Sequence, residues 1–177
     1  MMLRNKIRQL FSRQKLSHLK GSTTTPLLQD SISKAFFKSS LDNKDSLAVV
    51  SDFQNIKLTY QDLYSLSRRA AANFLDLGLS SGSKVGVFAP NYIEWVICQF
   101  ACSLADLHLV NINPAYKPRE LKHGLSLAEV ETLIVSDNLL PSRILDNVEW
   151  LLSQENVELN REEDSGLVWS FIIYRTC

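Results

Sequence analysis

The stretch from Ser81 to Asp137 constrains the fold more than any other part of the chain. Three short apolar runs, Val85 to Ala89, Leu107 to Ile112 and Thr132 to Val135, are separated by two segments with helical spacing. Runs of this length with few alternating polar residues suit strands buried on both faces. Strand, helix, strand, helix, strand is the pattern of a parallel sheet with right-handed crossovers. The spacing therefore predicts an α/β fold, built on a parallel-sheet β-α-β-α-β unit flanked by helices.

The helices carry their own punctuation. Pro90 closes the first run, and Asn91 is placed to cap a helix with Glu94 three residues on. Ile93, Val96, Ile97, Phe100 and Leu104 then share one face. The second helix begins near Pro118, with Glu120 at the favourable end of the dipole and Leu121, Leu125 and Ala128 as its stripe. Gly124 inside it costs about 1 kcal/mol of propensity relative to Ala. Upstream, Thr59-x-x-Asp62 is a capping box, Leu63, Leu66, Ala70, Phe74 and Leu77 line one face, and Gly78 is placed for a left-handed cap. A short helix over Ser31 to Leu41 and a hairpin of Leu47 to Val50 and Ile56 to Leu58, turning at Asp52 to Asn55, precede it.

A chain of 177 residues argues for one domain. Its formal net charge is zero, with 19 basic and 19 acidic side chains, but the first 29 residues hold six of the basic ones and no acid. The body keeps 13 basic against 19 acidic, a net of −6. It has no basic stripe of the kind nucleic-acid binding needs. In Met1 to Gln29, Leu3, Ile7, Leu10 and Phe11 share a helical face bordered by Arg4, Arg8, Arg13 and Lys15, followed by Ser22-Thr23-Thr24-Thr25. That is the pattern of a mitochondrial transit peptide. A disordered basic tail and a membrane-surface helix are the competing readings. The apolar part is too broken for a membrane span.

Few residues invite chemistry. Cys98 and Cys102 lie four apart on one predicted helix; they read as a metal or redox pair, or as two small buried apolar residues, the commoner meaning. Cys177 stands alone, and three cysteines make no disulfide framework, which points to a reducing compartment. His18, His108 and His123 have no ligand spacing. Arg68 and Arg69 are anion binders or a solvated face, with the solvated face favoured. Gly82 and Gly86 fail the spacing of a phosphate loop; Gly82 reads as a turn and Gly86 as a point of close backbone approach. Asn111, Asn113, Pro114 and Tyr116 follow the carboxyl end of a strand, the edge where open parallel sheets bind ligands. Alternatively, Asn113-Pro114 simply turns the chain into the next helix.

The segments GSKVGVFAPNYIEWV (82–96), INPAYKPREL (112–121) and VETLIVSD (130–137), with LTYQDLYSLSRRAAANFLDLGL (58–79) upstream, resemble the start of the large N-terminal domain of AMP-forming acyl-CoA synthetases in the adenylate-forming superfamily. The resemblance runs from Ser31 to Asp137, and VNINPAYKPREL looks most like the branch acting on medium- and longer-chain fatty acids. It implies a fatty acid–CoA ligase that joins a carboxylic acid to ATP and passes the acyl group to CoA. ATP, CoA and Mg²⁺ are the implied cofactors of the full enzyme, and a fatty acid its substrate. The family cradles phosphate with a Ser/Thr/Gly-rich loop ending in Lys. No equivalent follows Asp137, and Gly21 to Thr25 lacks the later Gly and Lys. The resemblance thus assigns no catalytic, cofactor-binding or metal residue here. With the basic leader, it divides the chain into residues 1–29, a transit peptide to the mitochondrial matrix; 30–139, a partial AMP-binding N-terminal domain; and 140–177, a tail of uncertain structure. The enzymes of this family are several times larger, so the expectation is a fragment, inactive alone. A non-catalytic module that associates with the full-length enzyme is the alternative. An unrelated nucleotide-binding domain is disfavoured by the missing glycine fingerprint. In the tail, Pro141 to Leu152 reads as a helix, acidic Glu155 to Asp164 as a loop, and LVWSFIIY (167–174) as a strand or an extraneous, aggregation-prone end whose removal after Asp164 should help solubility.

Overall fold

The computed structural model describes residues 21–136, 142–154, 158–164 and 167–173. The basic segment read as an import signal lies, over residues 1–20, outside them. Helix α1 (Ile32–Asp42) begins where the Ser31 hydroxyl accepts the Lys34 N–H. Strands β1 (Leu47–Ser51) and β2 (Ile56–Thr59) form a separate antiparallel hairpin. Helix α2 (Tyr60–Asp76) carries the expected box: the Thr59 hydroxyl accepts the Asp62 N–H at 3.1 Å, and the Asp62 carboxylate accepts the Thr59 N–H at 3.0 Å. Gly78, at φ +86°, ends it in the left-handed region.

The expected unit follows as β3 (Lys84–Phe88), α3 (Ile93–Leu104), β4 (His108–Asn111), α4 (Pro118–Ala128) and β5 (Thr132–Ser136). Strand β3 pairs in parallel with β4 on one side and β5 on the other. Helix α5 (Ser142–Gln154) is then followed by β6 (Glu158–Asp164) and β7 (Leu167–Ile173). The sheet runs in the order β4-β3-β5-β7-β6, with β7 antiparallel to both its neighbours.

Side chains alternate across this sheet as period-two geometry requires. Val85, Val87, Ala89 and Ile134 face Ala71 and Phe74 of α2 and Cys98, Ala101 and Cys102 of α3. Phe88, Leu133 and Val135 face the other way, onto Leu121 and Leu125 of α4 and Val148 and Leu151 of α5. A third cluster joins Phe36, Leu63, Ile93 and Ile97 to the hairpin, with the Phe36 and Phe100 rings stacked at 3.9 Å. Helix α3 is thus buried on two sides, against the sheet and against the hairpin.

Gly86 lies on the α4 side of β3. A Cβ there would sit 3.0 Å from Val130 Cγ1 and 3.1 Å from Leu133 Cδ1, so the close approach read from the sequence is present.

Three expectations need correction. Among the described residues strand β4 is an edge of the sheet, and it is half-buried rather than covered on both faces. Glu158–Asp164 is a strand, not a loop: it pairs residue for residue with β7, and an edge strand tolerates charge. Asn91 does not cap α3; Tyr92 holds that position, with no side-chain capping bond to the helix. Within LVWSFIIY, Leu167–Ile173 forms a strand inside the sheet.

Candidate functional site

The loops after β3 and β4 leave the sheet in opposite directions, because α3 packs on one face and α4 on the other. Such a divergence opens the crevice where doubly wound sheets hold ligands. The loops at that edge here are Ala89 to Tyr92 and Ile112 to Lys117. Trp95, in the first turn of α3, bridges them: its indole Nε1 donates to Asn111 Oδ1 at 3.3 Å.

The β4–α4 loop is largely turned on itself. Asn113 Oδ1 accepts the Ala115 N–H at 2.9 Å, and the Asn113 carbonyl accepts the Tyr116 N–H at 3.0 Å. Asn147 of α5 donates its Nδ2 to the Tyr116 carbonyl at 2.7 Å. The Lys117 N–H donates to Glu120 Oε2 at 2.8 Å as Pro118 opens α4. Asn111, Asn113, Pro114 and Tyr116 are therefore brought to one edge, and their bonds build the turn that Asn113-Pro114 foretells.

A residue with no local signal organises the other wall. Gln54, in the hairpin loop, accepts the Ile93 N–H at 2.9 Å and the Ser51 hydroxyl at 2.8 Å on Oε1. Its Nε2 donates to Glu94 Oε2 at 2.8 Å. Gln54 thus satisfies a free amide at the start of α3, the service expected of Asn91. Phe53 beside it packs its ring 5.2 Å from that of Tyr92. The donor and acceptor are 39 residues apart, so no short motif announces them.

The remaining candidates are scattered. Cys98 and Cys102 are buried in the core, as the bland reading holds. Burial, with Cys102 and Glu94 nearby, raises the Cys98 thiol well above its ordinary value, and burial pushes Cys102 up to about 12. Neither is a nucleophile at neutral pH. Arg68 is exposed over the Tyr64 ring at 5.9 Å, and Arg69 is exposed beside it. His108 and His123 are exposed on β4 and α4, while His18 and Cys177 lie outside the described residues. Gly82, at φ +84°, makes a turn before β3 and donates its N–H to the Asp106 carbonyl at 2.9 Å. Among the described residues, no group of three or more His, Cys, Asp or Glu could hold a metal.

At the opposite end of the strands, charge serves stability. Ser83 Oγ donates to Glu131 Oε2 at 2.9 Å and the Lys84 N–H donates to Glu131 Oε1 at 3.1 Å. The Lys84 ammonium pairs with Glu129 and holds that carboxyl below its ordinary value. Sequence reading also missed Ser67, fully buried on α2 with no partner for its hydroxyl.

Comparison with known proteins gives these elements a context. Residues 36–170 match the family model for AMP-binding enzymes, past the Asp137 at which the sequence resemblance fades. A medium-chain acyl-CoA ligase of Macaca fascicularis, named as mitochondrial, is 31% identical over 119 residues, 67% of this chain and 19% of that protein. The chain spans about a fifth of the length of that relative, and about a quarter of its counterpart from Mus musculus. In fold it resembles a Mycobacterium tuberculosis fatty acyl CoA synthetase, with a TM-score of 0.63 at 18% identity over 70% of this chain and 24% of that one. It also resembles the N-terminal domain of FACL13 from the same organism, with a TM-score of 0.56 at 20% identity over 58% and 26% of the two chains.

Proposed function

The chain belongs to the AMP-binding enzyme family, and from that premise we propose that it supplies the N-terminal portion of a medium-chain fatty acid–CoA ligase of the mitochondrial matrix. The observation that carries this reading is the family match over residues 36–170, joined to relatives named as mitochondrial medium-chain acyl-CoA ligases. The full reaction makes an acyl-adenylate from a fatty acid and ATP, releases pyrophosphate and transfers the acyl group to CoA. Charge develops on phosphate and carbonyl oxygens, which amide donors, cations and Mg²⁺ must meet.

The described residues do not fit those groups. The amide oxygens of Asn111 and Asn113 are already engaged, and no acid cluster for Mg²⁺ occurs among the described residues. Nor does the 177-residue sequence contain a Ser/Thr/Gly-rich loop ending in Lys beyond β5. Removing one preorganised donor typically costs about 100- to 1000-fold. The polypeptide of residues 1–177 should therefore show no exchange of labelled pyrophosphate into ATP with short-, medium- or long-chain acids. Exchange above a heat-treated control, retained through further purification, overturns this and directs attention to Asn111 to Tyr116.

The engaged amide oxygens of Asn111 and Asn113 favour one second reading, a non-catalytic module that associates with the full-length enzyme. Co-expression of the two distinguishes it: a stable complex surviving gel filtration supports the module, and separate elution discards it.

A further inference from the structure

We propose that Thr25 is a phosphorylation site for a proline-directed Ser/Thr protein kinase, and that its phosphate lowers delivery of the chain to mitochondria. The second half rests on the matrix-delivery reading above; the first does not. In the transfer, Thr25 Oγ1 forms a bond to the γ-phosphorus of Mg·ATP. The bond from that phosphorus to the bridging oxygen breaks, ADP leaves, and the hydroxyl proton passes to the catalytic base of the kinase.

Residues 21–29 stand apart from the packed body. All nine are exposed, and none lies in a helix or strand. Thr25 is at their centre, with four exposed residues on either side. Packing begins beyond them. The Asp30 carboxylate takes Lys34 at 2.9 Å and Lys38 at 2.6 Å, the Ser31 carbonyl accepts the Ala35 N–H at 2.9 Å, and Phe36 of α1 lies in the core. A kinase holds its acceptor and the flanking residues along a cleft. This segment can enter one without opening a core contact.

The segment carries four hydroxyls, on Ser22, Thr23, Thr24 and Thr25, and two observations single out the last. Ser22 Oγ and Thr24 Oγ1 are bonded to each other at 2.8 Å, and Ser22 Oγ also accepts the Thr24 N–H at 3.3 Å. Thr25 alone precedes a proline. Pro26 fixes its own φ at about −65° and has no backbone N–H to leave unpaired in a cleft. It also biases Thr25 away from the helical region. The pyrrolidine ring, with Leu27 and Leu28 at 85% and 82% exposed, offers an apolar strip just after the acceptor. The sequence holds five prolines, and Ala89, Asn113, Lys117 and Leu140 precede the other four. Thr25-Pro26 is therefore the single Ser/Thr-Pro pair in 177 residues, which gives such a kinase one target.

The consequence is electrostatic. Residues 1–29 hold six basic side chains and no acid, a net of +6. A phosphate adds about −1.5 to −2 at pH 7, which leaves about +4. A segment drawn across a membrane by a potential is pulled in proportion to its charge.

The site is tested on the purified 177-residue chain, incubated with a proline-directed kinase of the mitogen-activated class and γ-labelled Mg·ATP. Label mapped to Thr25 by mass spectrometry supports the proposal. No label, or label that persists in Thr25→Ala, overturns it. Pro26→Ala should lose the label, and label retained by that variant overturns the proline-directed assignment. Both residues lie outside the packed body, so loss of label is not loss of fold. Delivery is read with residues 1–29 fused to a fluorescent reporter, as the native segment, Thr25→Ala and Thr25→Glu. Weaker mitochondrial delivery of Thr25→Glu than of the other two supports the effect of the phosphate, and equal delivery of all three overturns it. A native reporter that stays cytosolic sinks the delivery reading and this consequence with it, while labelling of the purified chain still decides the site.

Discussion

Two single residues determine more than their size suggests. Gln54 holds the first turn of α3 and, through the same amide, Ser51 and Glu94. Gln54→Ala removes a helix cap and leaves a Glu and a buried Ser without their partner. The expected cost is about 1–2 kcal/mol, read as a lower urea midpoint at unchanged slope. An unchanged midpoint would mean that water replaces the amide fully. Gly86 sits under Val130 and Leu133, whose methyl groups would meet a Cβ at 3.0 and 3.1 Å and would have to give by a few tenths of an ångström. Gly86→Ala should cost about 1–3 kcal/mol through overpacking, although Ala is the better strand residue by backbone entropy. Thermal unfolding of the two proteins side by side checks the sign.

Among the elements, α2 shows a pH dependence of definite direction. Hydrogen bonds from the Thr59 hydroxyl and backbone hold the Asp62 carboxyl below its ordinary value. A carboxyl depressed by folding stabilises above its unfolded pKa, near 4, and that contribution is lost as pH falls through the folded value. Asp62→Ala should therefore lower the melting temperature near neutral pH, with the difference from the native chain shrinking below about pH 4. A gap that is constant down to the acid limit would assign the effect to propensity rather than charge. The capping box was legible because both partners lie within four residues. So were the buried strands β3 and β5, whose apolar runs reflect cover on both faces, and the turn at Asn113-Pro114. Strand β4 was legible as a strand but not as an edge, since its apolar run looks like that of a central one. Strand β6 was not legible at all: Glu158–Asp164 has the composition of a solvated loop, and its strand state comes from pairing with residues that follow it. At the candidate edge, the strand ends and the turn into α4 were legible. The engagement of its polar groups by Trp95 and Gln54 was not, because those partners lie far away in sequence.

For the molecule as a whole, the position of β7 reverses one expectation. An apolar, uncharged LVWSFIIY end invites removal as an aggregation segment. In the fold it is hydrogen-bonded between β5 and β6. Ending the chain after Asp164 would bare the edge of β5 and strip β6 of the one neighbour it has among the described residues, and bare edges recruit other chains. The shortened chain should be less soluble than the full one, measured by light scattering at equal concentration; a gain in the monomer fraction would restore the original expectation.

The bond from Gln54 to the first turn of α3 also fixes an order of events. Helix α3 is a crossover of the parallel unit, yet its first turn is completed by a loop made 39 residues earlier. Closing a loop of that length carries an entropic cost that local helix formation does not repay. The hairpin and the first crossover therefore gain their full stability together, as one cooperative unit. A disturbance at the tip of the hairpin would reach the start of α3 directly, through the Gln54 amide and the contact of the Phe53 and Tyr92 rings.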